Sequence, residues 1–188
     1  MISISYLQMV IFISVVWIIV RAVCCIRKGR FDIGREAALL LVYICIVVVV
    51  RFTFCPFGTV YGKVQPLLFD KNRIFPPWVN FVPFVYLFDY PEMRDAILNL
   101  VGNIAMFIPL GIVWPSVFRE LNTHTRAIAA GVGVSLCIEI LQLPFFDRAS
   151  DIDDLLLNSF GYILGYGIYV AVKKTVAIVR SKRKKANA

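Results

Sequence analysis

Five long apolar runs divide the chain, and each is close to the length of about 20 residues that an α-helix needs to cross a bilayer. A greasy soluble core would instead show shorter apolar stretches that are interrupted by polar loops. The pattern therefore predicts an all-α protein, a polytopic membrane helix bundle with five transmembrane helices. The predicted spans are residues 4–26, 37–54, 97–118, 127–146 and 155–179.

The long connection between the second and third runs, residues 55–96, has a different pattern. It holds six prolines and ten aromatic residues. Proline prevents a continuous helix, and aromatic side chains favour the headgroup region of a membrane. We expect this segment to lie on or dip into the extracytoplasmic interface.

Composition supports one membrane domain that covers residues 1–188. Hydrophobic residues make up 60% of the chain and the mean hydropathy is +0.78, whereas soluble domains are about 45–50% apolar. The first run has no basic residue before it and no small-residue cleavage site behind it, so it is predicted to be a retained helix and not a signal peptide.

The distribution of positive charge predicts the orientation. Thirteen Lys and Arg residues fall in the segments predicted to be inside, and five fall in those predicted to be outside, although the outer segment 55–96 is far longer. The positive-inside rule then gives an N-out, C-in topology. The net charge of +8 is explained in this way and by contact with anionic headgroups, so nucleic acid is not an expected partner and membrane lipids are.

Neither a metal centre nor a cofactor is predicted. The five cysteines have no CxxC or Cys/His spacing, and free thiols inside apolar runs behave as small hydrophobes. The single histidine, His124, lies in a short loop, so the usual general base is missing from most of the chain.

Polar residues inside three apolar runs fall on one helical face each, in the layer near the predicted outer ends. Such residues are costly in a membrane and therefore indicate function or helix–helix contact. Residues four and seven apart share a face, and the glycines on the last stripe would allow another backbone to approach closely. The stripes are Asn99 and Asn103; Ser135, Glu139 and Gln142; and Asp154, Asn158, Gly161 and Gly165.

An acidic loop, residues 147–154, precedes the fifth run. It holds four carboxylates and Arg148. One interpretation is structural: Asp153 and Asp154 would cap the fifth helix, and Arg148 would pair with an acid, with Glu139 as a candidate for a buried ion pair. The other is that Glu139 and the loop form a shared functional site, because an isolated carboxylate on a stripe with Gln142 needs a reason.

The order and spacing of these polar residues resemble the VanZ-like family over roughly residues 80–165. The resemblance implies a multi-pass protein of the bacterial cytoplasmic (plasma) membrane that is associated with resistance to teicoplanin and other lipid-tailed glycopeptides. The matching residues are Val79-Asn80-Phe81-Val82-Pro83-Phe84, Asn99, Asn103, Phe107, Pro109, Gly111, Glu139, Gln142, Arg148, Asp151-Ile152-Asp153-Asp154, Asn158 and Gly161.

Two functions remain open for this cluster. The favoured hypothesis is an outer-leaflet binding site for a lipid-linked cell-wall precursor or a lipoglycopeptide, since amides suit sugars and peptides and a guanidinium suits phosphate. The alternative is a membrane-embedded enzyme in which Glu139, Asp151 and Asp154 act as acid and base or hold Mg²⁺ or Ca²⁺. Transport is disfavoured because the sequence shows no polar path through the inner half. The predicted ligand-binding residues are Asn80, Asn99, Asn103, Glu139, Gln142, Arg148, Asp151, Asp154 and Asn158.

The predicted topology can be tested with single cysteines in a cysteine-free background. A membrane-impermeant maleimide should label positions 70 and 150 in intact cells, and positions 123 and 181 only after permeabilisation. Labelling of position 150 that requires permeabilisation would reverse the orientation.

Overall fold

The computed structural model describes most of the chain. Asp147 and a large part of the aromatic segment 55–96 lie outside the described residues, so the placement of that segment at the interface stays a prediction. The described residues are 2–29, 31–55, 59–60, 62–74, 79–85, 92–121, 123–146 and 148–187.

Five helices dominate the described structure, and all five are long and apolar enough to cross a membrane. This confirms the predicted all-α, five-helix membrane fold. The helices are α1 (Tyr6–Lys28), α2 (Ile33–Phe54), α3 (Met93–Val117), α4 (His124–Gln142) and α5 (Ile152–Ala186).

The helices extend beyond most of the apolar runs because capping and charged residues continue a helix after its apolar stretch has ended. Asp32 caps α2 by accepting a hydrogen bond from Arg35 N. Asp151 caps α5, which begins at Ile152 and not at residue 155, where the fifth apolar run starts. Helix α4 is the exception and stops at Gln142, since Pro144 has no backbone N–H with which to extend the helix.

Short strands precede α1 and occupy the connections between helices. They are β1 (Ile2–Ile4), β2 (Thr59–Val60), β3 (Lys63–Val64), β4 (Leu67–Phe69), β5 (Val79–Asn80) and β6 (Ser150–Asp151). Among the described residues they form three pairs: β1 with β4 and β2 with β3 are antiparallel, and β5 with β6 is parallel. The last pair joins the α2–α3 connection to the start of α5.

Helices α3 and α5 approach each other so closely that their backbones touch. A Cβ atom placed on Gly161 would lie 2.2 Å from Ile104 O, and one on Gly165 would lie 2.1 Å from Ile108 O. Gly111 makes the reciprocal contact from α3, where a Cβ would lie 2.2 Å from Tyr162 O. The predicted role of the α5 glycines is confirmed.

Helix α1 lies at the edge of the bundle and has no buried residue. It is joined to α2 by a 2.7 Å hydrogen bond between the hydroxyls of Ser14 and Tyr43, and by an ion pair between Arg21 and Glu36. Because each of the two charged groups neutralises the other, neither is left as an isolated charge among apolar side chains.

Substitution of Gly165 should separate α3 from α5. Gly165→Ala places a methyl group against Ile108 O and should destabilise the protein by about 1–3 kcal/mol through overpacking, which thermal unfolding in a fixed detergent would measure. Gly167→Ala is the matched control, because nothing lies within 4 Å of a Cβ at that position. Equal effects of the two substitutions would contradict the close contact.

Candidate functional site

A polar cavity of about 560 Å³ lies where α2 and α4 end and where α3 and α5 begin, which we call the site end of the bundle. Every predicted binding residue except Asn80 lines it. The lining residues are Phe52, Thr53, Asp95, Leu98, Asn99, Asn103, Glu139, Gln142, Arg148, Ala149, Asp151, Asp154 and Asn158.

One wall of the cavity is a hydrogen-bonded group between α3 and α5. Asn103 Nδ2 donates to Asn99 Oδ1, one turn earlier on the same helix, and to Asp154 Oδ1 on α5, with both distances 2.6 Å. Asn103 is only 4% exposed, so its amide has exchanged water for these two acceptors. The two predicted stripes therefore meet directly.

Glu139 connects α4 to the start of α5. Its carboxylate oxygen Oε2 accepts a hydrogen bond from Asp151 N at 2.9 Å, and its side chain is buried. Asp151 in turn is the residue that caps α5, because its Oδ1 accepts from Asp153 N at 2.9 Å. The structural interpretation placed Asp153 and Asp154 as caps at the positive end of the helix dipole. The cap is Asp151 instead, but both residues do lie in the first turn, where a carboxylate interacts favourably with the dipole.

Asn80 and Asp153 attach the α2–α3 connection to this corner. Asn80 Nδ2 donates to Asp151 Oδ1 at 3.1 Å across the β5–β6 pair. The buried Asp153 carboxylate accepts from Phe84 N at 2.9 and 3.1 Å. Phe84 has a φ of 66°, a conformation that is costly for an L side chain, and this charge-assisted contact helps to hold it.

Gln142 and Arg148 reach the last carbonyl groups of α2. Gln142 Nε2 donates to Thr53 O at 2.6 Å, and Arg148 Nε donates to Phe54 O at 3.2 Å. These carbonyls have no partner within their own helix. The alternative that Glu139 and Arg148 hold the helices together as an ion pair gives way to two separate contacts, with Glu139 on the start of α5 and Arg148 on the end of α2.

Five lining residues were not predicted from the sequence, among them Ala149 of the acidic loop. Phe52 and Thr53 come from α2, whose run shows no polar stripe, and Leu98 is one apolar residue among many. Asp95 could have been found, since Asp95-x3-Asn99 repeats the spacing of Asp154-x3-Asn158 at the start of a helix.

Acidic side chains predominate among the ionisable residues of the cavity. Four carboxyl groups line it, from Asp95, Glu139, Asp151 and Asp154, beside the single guanidinium of Arg148. Within the described part of the chain, no three His, Cys, Asp or Glu residues converge in a way that could hold a metal ion.

Comparison with known proteins places the chain in a family. Residues 40–173 match the VanZ/LLP1 family model. The chain belongs to the VanZ/LLP1 family. The matched region runs from α2 into α5 and contains every residue that lines the cavity. It is wider than the core of residues 80–165 over which the sequence resembled this family.

One curated relative of this VanZ/LLP1 chain is Protein VanZ of Enterococcus faecium. The two are 32% identical over 91 residues, which are 48% of this chain and 52% of the relative. The chain thus spans about half the length of the curated relative that it matches. No solved structure matches the chain.

The contact between Glu139 and Asp151 predicts how two substitutions differ. Glu139→Gln keeps an oxygen that can accept from Asp151 N and should change the unfolding free energy by less than about 1 kcal/mol. Glu139→Leu leaves that N–H without an acceptor and should cost about 1–3 kcal/mol. Thermal unfolding of the purified variants measures both. If Leu were as stable as Gln, the contact would not position the loop.

Proposed function

We propose that the cavity is an outward-facing recognition site in the bacterial plasma membrane. Its ligand is the polar part of a lipid-linked cell-wall precursor or of a lipid-tailed glycopeptide. Occupation of the site contributes to resistance against antibiotics of the teicoplanin type. Membership of the VanZ/LLP1 family supports this general role, and the distribution of Lys and Arg supports an outward-facing site.

The observation that carries the proposal is the cavity itself. Its volume of about 560 Å³ is in the range of small-molecule sites, and side chains or loops from four helices converge on it. Phe52 and Leu98 add two apolar side chains to this lining, and they are 36% and 43% exposed. A ligand with a polar head and an apolar tail matches this combination of a polar interior and an apolar rim.

Binding is favoured over catalysis because Glu139 and Asp154 each use one carboxyl oxygen to hold a backbone or amide N–H of the protein, which fixes both groups as hydrogen-bond acceptors. Oε2 of Glu139 is engaged by Asp151 N, and Oδ1 of Asp154 is engaged by Asn103 Nδ2. A general acid or base needs its proton-transfer atom directed at the substrate. The enzymatic alternative, with Glu139, Asp151 and Asp154 in that role, is tested by the same experiment.

The experiment measures teicoplanin susceptibility of bacterial cells that produce each variant at equal levels in the membrane. Asp154→Asn removes a charge from the cavity and should weaken binding about tenfold, because hydrogen bonds to charged groups contribute about 1–2 kcal/mol more than neutral ones. Resistance should fall accordingly. Glu120→Gln, an exposed carboxylate in the short α3–α4 connection, is the control and should be silent.

Glu139→Gln separates the two functions in the same assay. A binding site that uses Glu139 as a neutral or amide-like partner should tolerate it with a loss of about 1 kcal/mol or less, whereas an acid–base catalyst should lose about 10²–10⁴-fold in rate. Abolished resistance in a stably folded Glu139→Gln protein would favour the enzyme. Unchanged resistance in the Asp154→Asn cells would contradict a functional cavity altogether.

A further inference from the structure

The hydrogen-bonding groups of the cavity are unequally divided between donors and acceptors. The amide donors of Asn103 and Gln142 are directed at protein oxygens, and so is Nε of Arg148. When they are ionised, the four lining carboxyl groups can accept hydrogen bonds but cannot donate them. The oxygens of the four carboxyl groups are therefore the largest set of acceptors that the cavity can present to a ligand.

Two buried amide oxygens strengthen this imbalance. Gln142 Oε1 and Asn158 Oδ1 have no hydrogen-bond partner among the described residues, and these side chains are only 4% and 1% exposed. For Gln142 the choice between amide oxygen and nitrogen follows from chemistry, since the atom 2.6 Å from Thr53 O must be a donor. A buried polar atom without a hydrogen-bond partner is costly, so Gln142 Oε1 needs a donor from elsewhere and the Asn158 amide needs a partner of its own.

We infer that the group bound in the cavity is a primary ammonium, carried by an amphiphile or by a peptide. This inference rests on the proposed function and specifies its ligand. An ammonium group has three donors and no acceptor, and its positive charge suits a lining with four carboxyl groups and one guanidinium. A phosphate would add acceptors and negative charge to a lining that already holds four carboxyl groups. A sugar hydroxyl would bring acceptor lone pairs together with its donor.

Two sources can supply such an amine. One is a lipid in the membrane, which would enter past the exposed Phe52 and Leu98. The other is the amino group of a peptide or drug that arrives from the aqueous side. The ammonium group would make the same contacts at Asn158 and Gln142 in both cases. The two sources differ only in whether an apolar chain is needed for binding.

The test uses the full chain in nanodiscs of phosphatidylcholine, with empty nanodiscs as the blank. Isothermal titration calorimetry compares dodecylammonium, dodecanol and dodecyl phosphate, which share one chain and differ in the head group. Dodecylammonium should bind saturably and at least tenfold more tightly than the other two. Butylammonium, which lacks a long chain, tests the source: equal affinity indicates an amine from water, and much weaker binding indicates a membrane amphiphile.

Asn158→Leu ties the binding to the cavity. It removes the acceptor at similar volume and should lower dodecylammonium affinity at least tenfold, while the melting temperature without ligand stays the same or rises. Ser159→Ala is the matched control, because Ser159 Oγ is also buried without a partner among the described residues but does not line the cavity. It should leave binding unchanged.

Asn158→Asp gives a second measurement that does not depend on Asn158→Leu being folded. It keeps an acceptor and adds a negative charge, so dodecylammonium should bind more tightly. Tighter or equal binding of dodecyl phosphate or dodecanol to the wild-type protein would overturn the inference, as would dodecylammonium binding that neither substitution changes. Teicoplanin resistance that is lost in Asp154→Asn cells, together with no ammonium binding, would refute the ligand class and leave the proposed function in place.

Discussion

The contact between the backbones of α3 and α5 determines where the other parts of the bundle lie. In a membrane, helices do not associate to escape water, so close van der Waals packing and interhelical hydrogen bonds must hold them. Gly161 and Gly165 allow that packing. At the site end, Asn103 adds an interhelical hydrogen bond. The amide of Asn103 reaches Asp154 at 2.6 Å only because the two helix axes are already close. The polar wall of the cavity therefore depends on the packing of glycine against backbone.

The acidic loop before α5 shows how one motif serves geometry and chemistry together. Asp151 accepts from Asn80 and from Asp153 N and donates its own N–H to Glu139, so it joins the α2–α3 connection, α4 and α5 at one point. Asp153 holds the backbone of Phe84 and does not line the cavity. Carboxyl groups that look equivalent in the sequence therefore have different positions in the fold: Asp153 holds the neighbouring backbone, whereas Asp151 and Asp154 line the cavity.

The fold was largely predictable, because helix length, the 3.6-residue period and glycine spacing are local properties of the chain. The grouping of Asn103, Glu139 and Asp154 followed from the same periodicity. What escaped prediction depends on segments that are distant in sequence. Gln142 bonds the carbonyl of Thr53, and a backbone carbonyl leaves no trace in the side-chain pattern. The Arg21–Glu36 pair was missed because Arg21 lies inside a run that was treated as apolar and Glu36 lies just before the next one.

The peripheral position of α1 has a consequence for how this protein can change in evolution. Helix α1 buries none of its residues, and it precedes residue 40, where the family match begins. We therefore expect most of its apolar side chains to tolerate exchange for others of similar hydrophobicity, provided that the contacts of Met9 with the core, of Ser14 with Tyr43 and of Arg21 with Glu36 are kept. A first helix of different sequence that kept these contacts would leave the lining of the cavity intact, because none of the lining residues lies on α1.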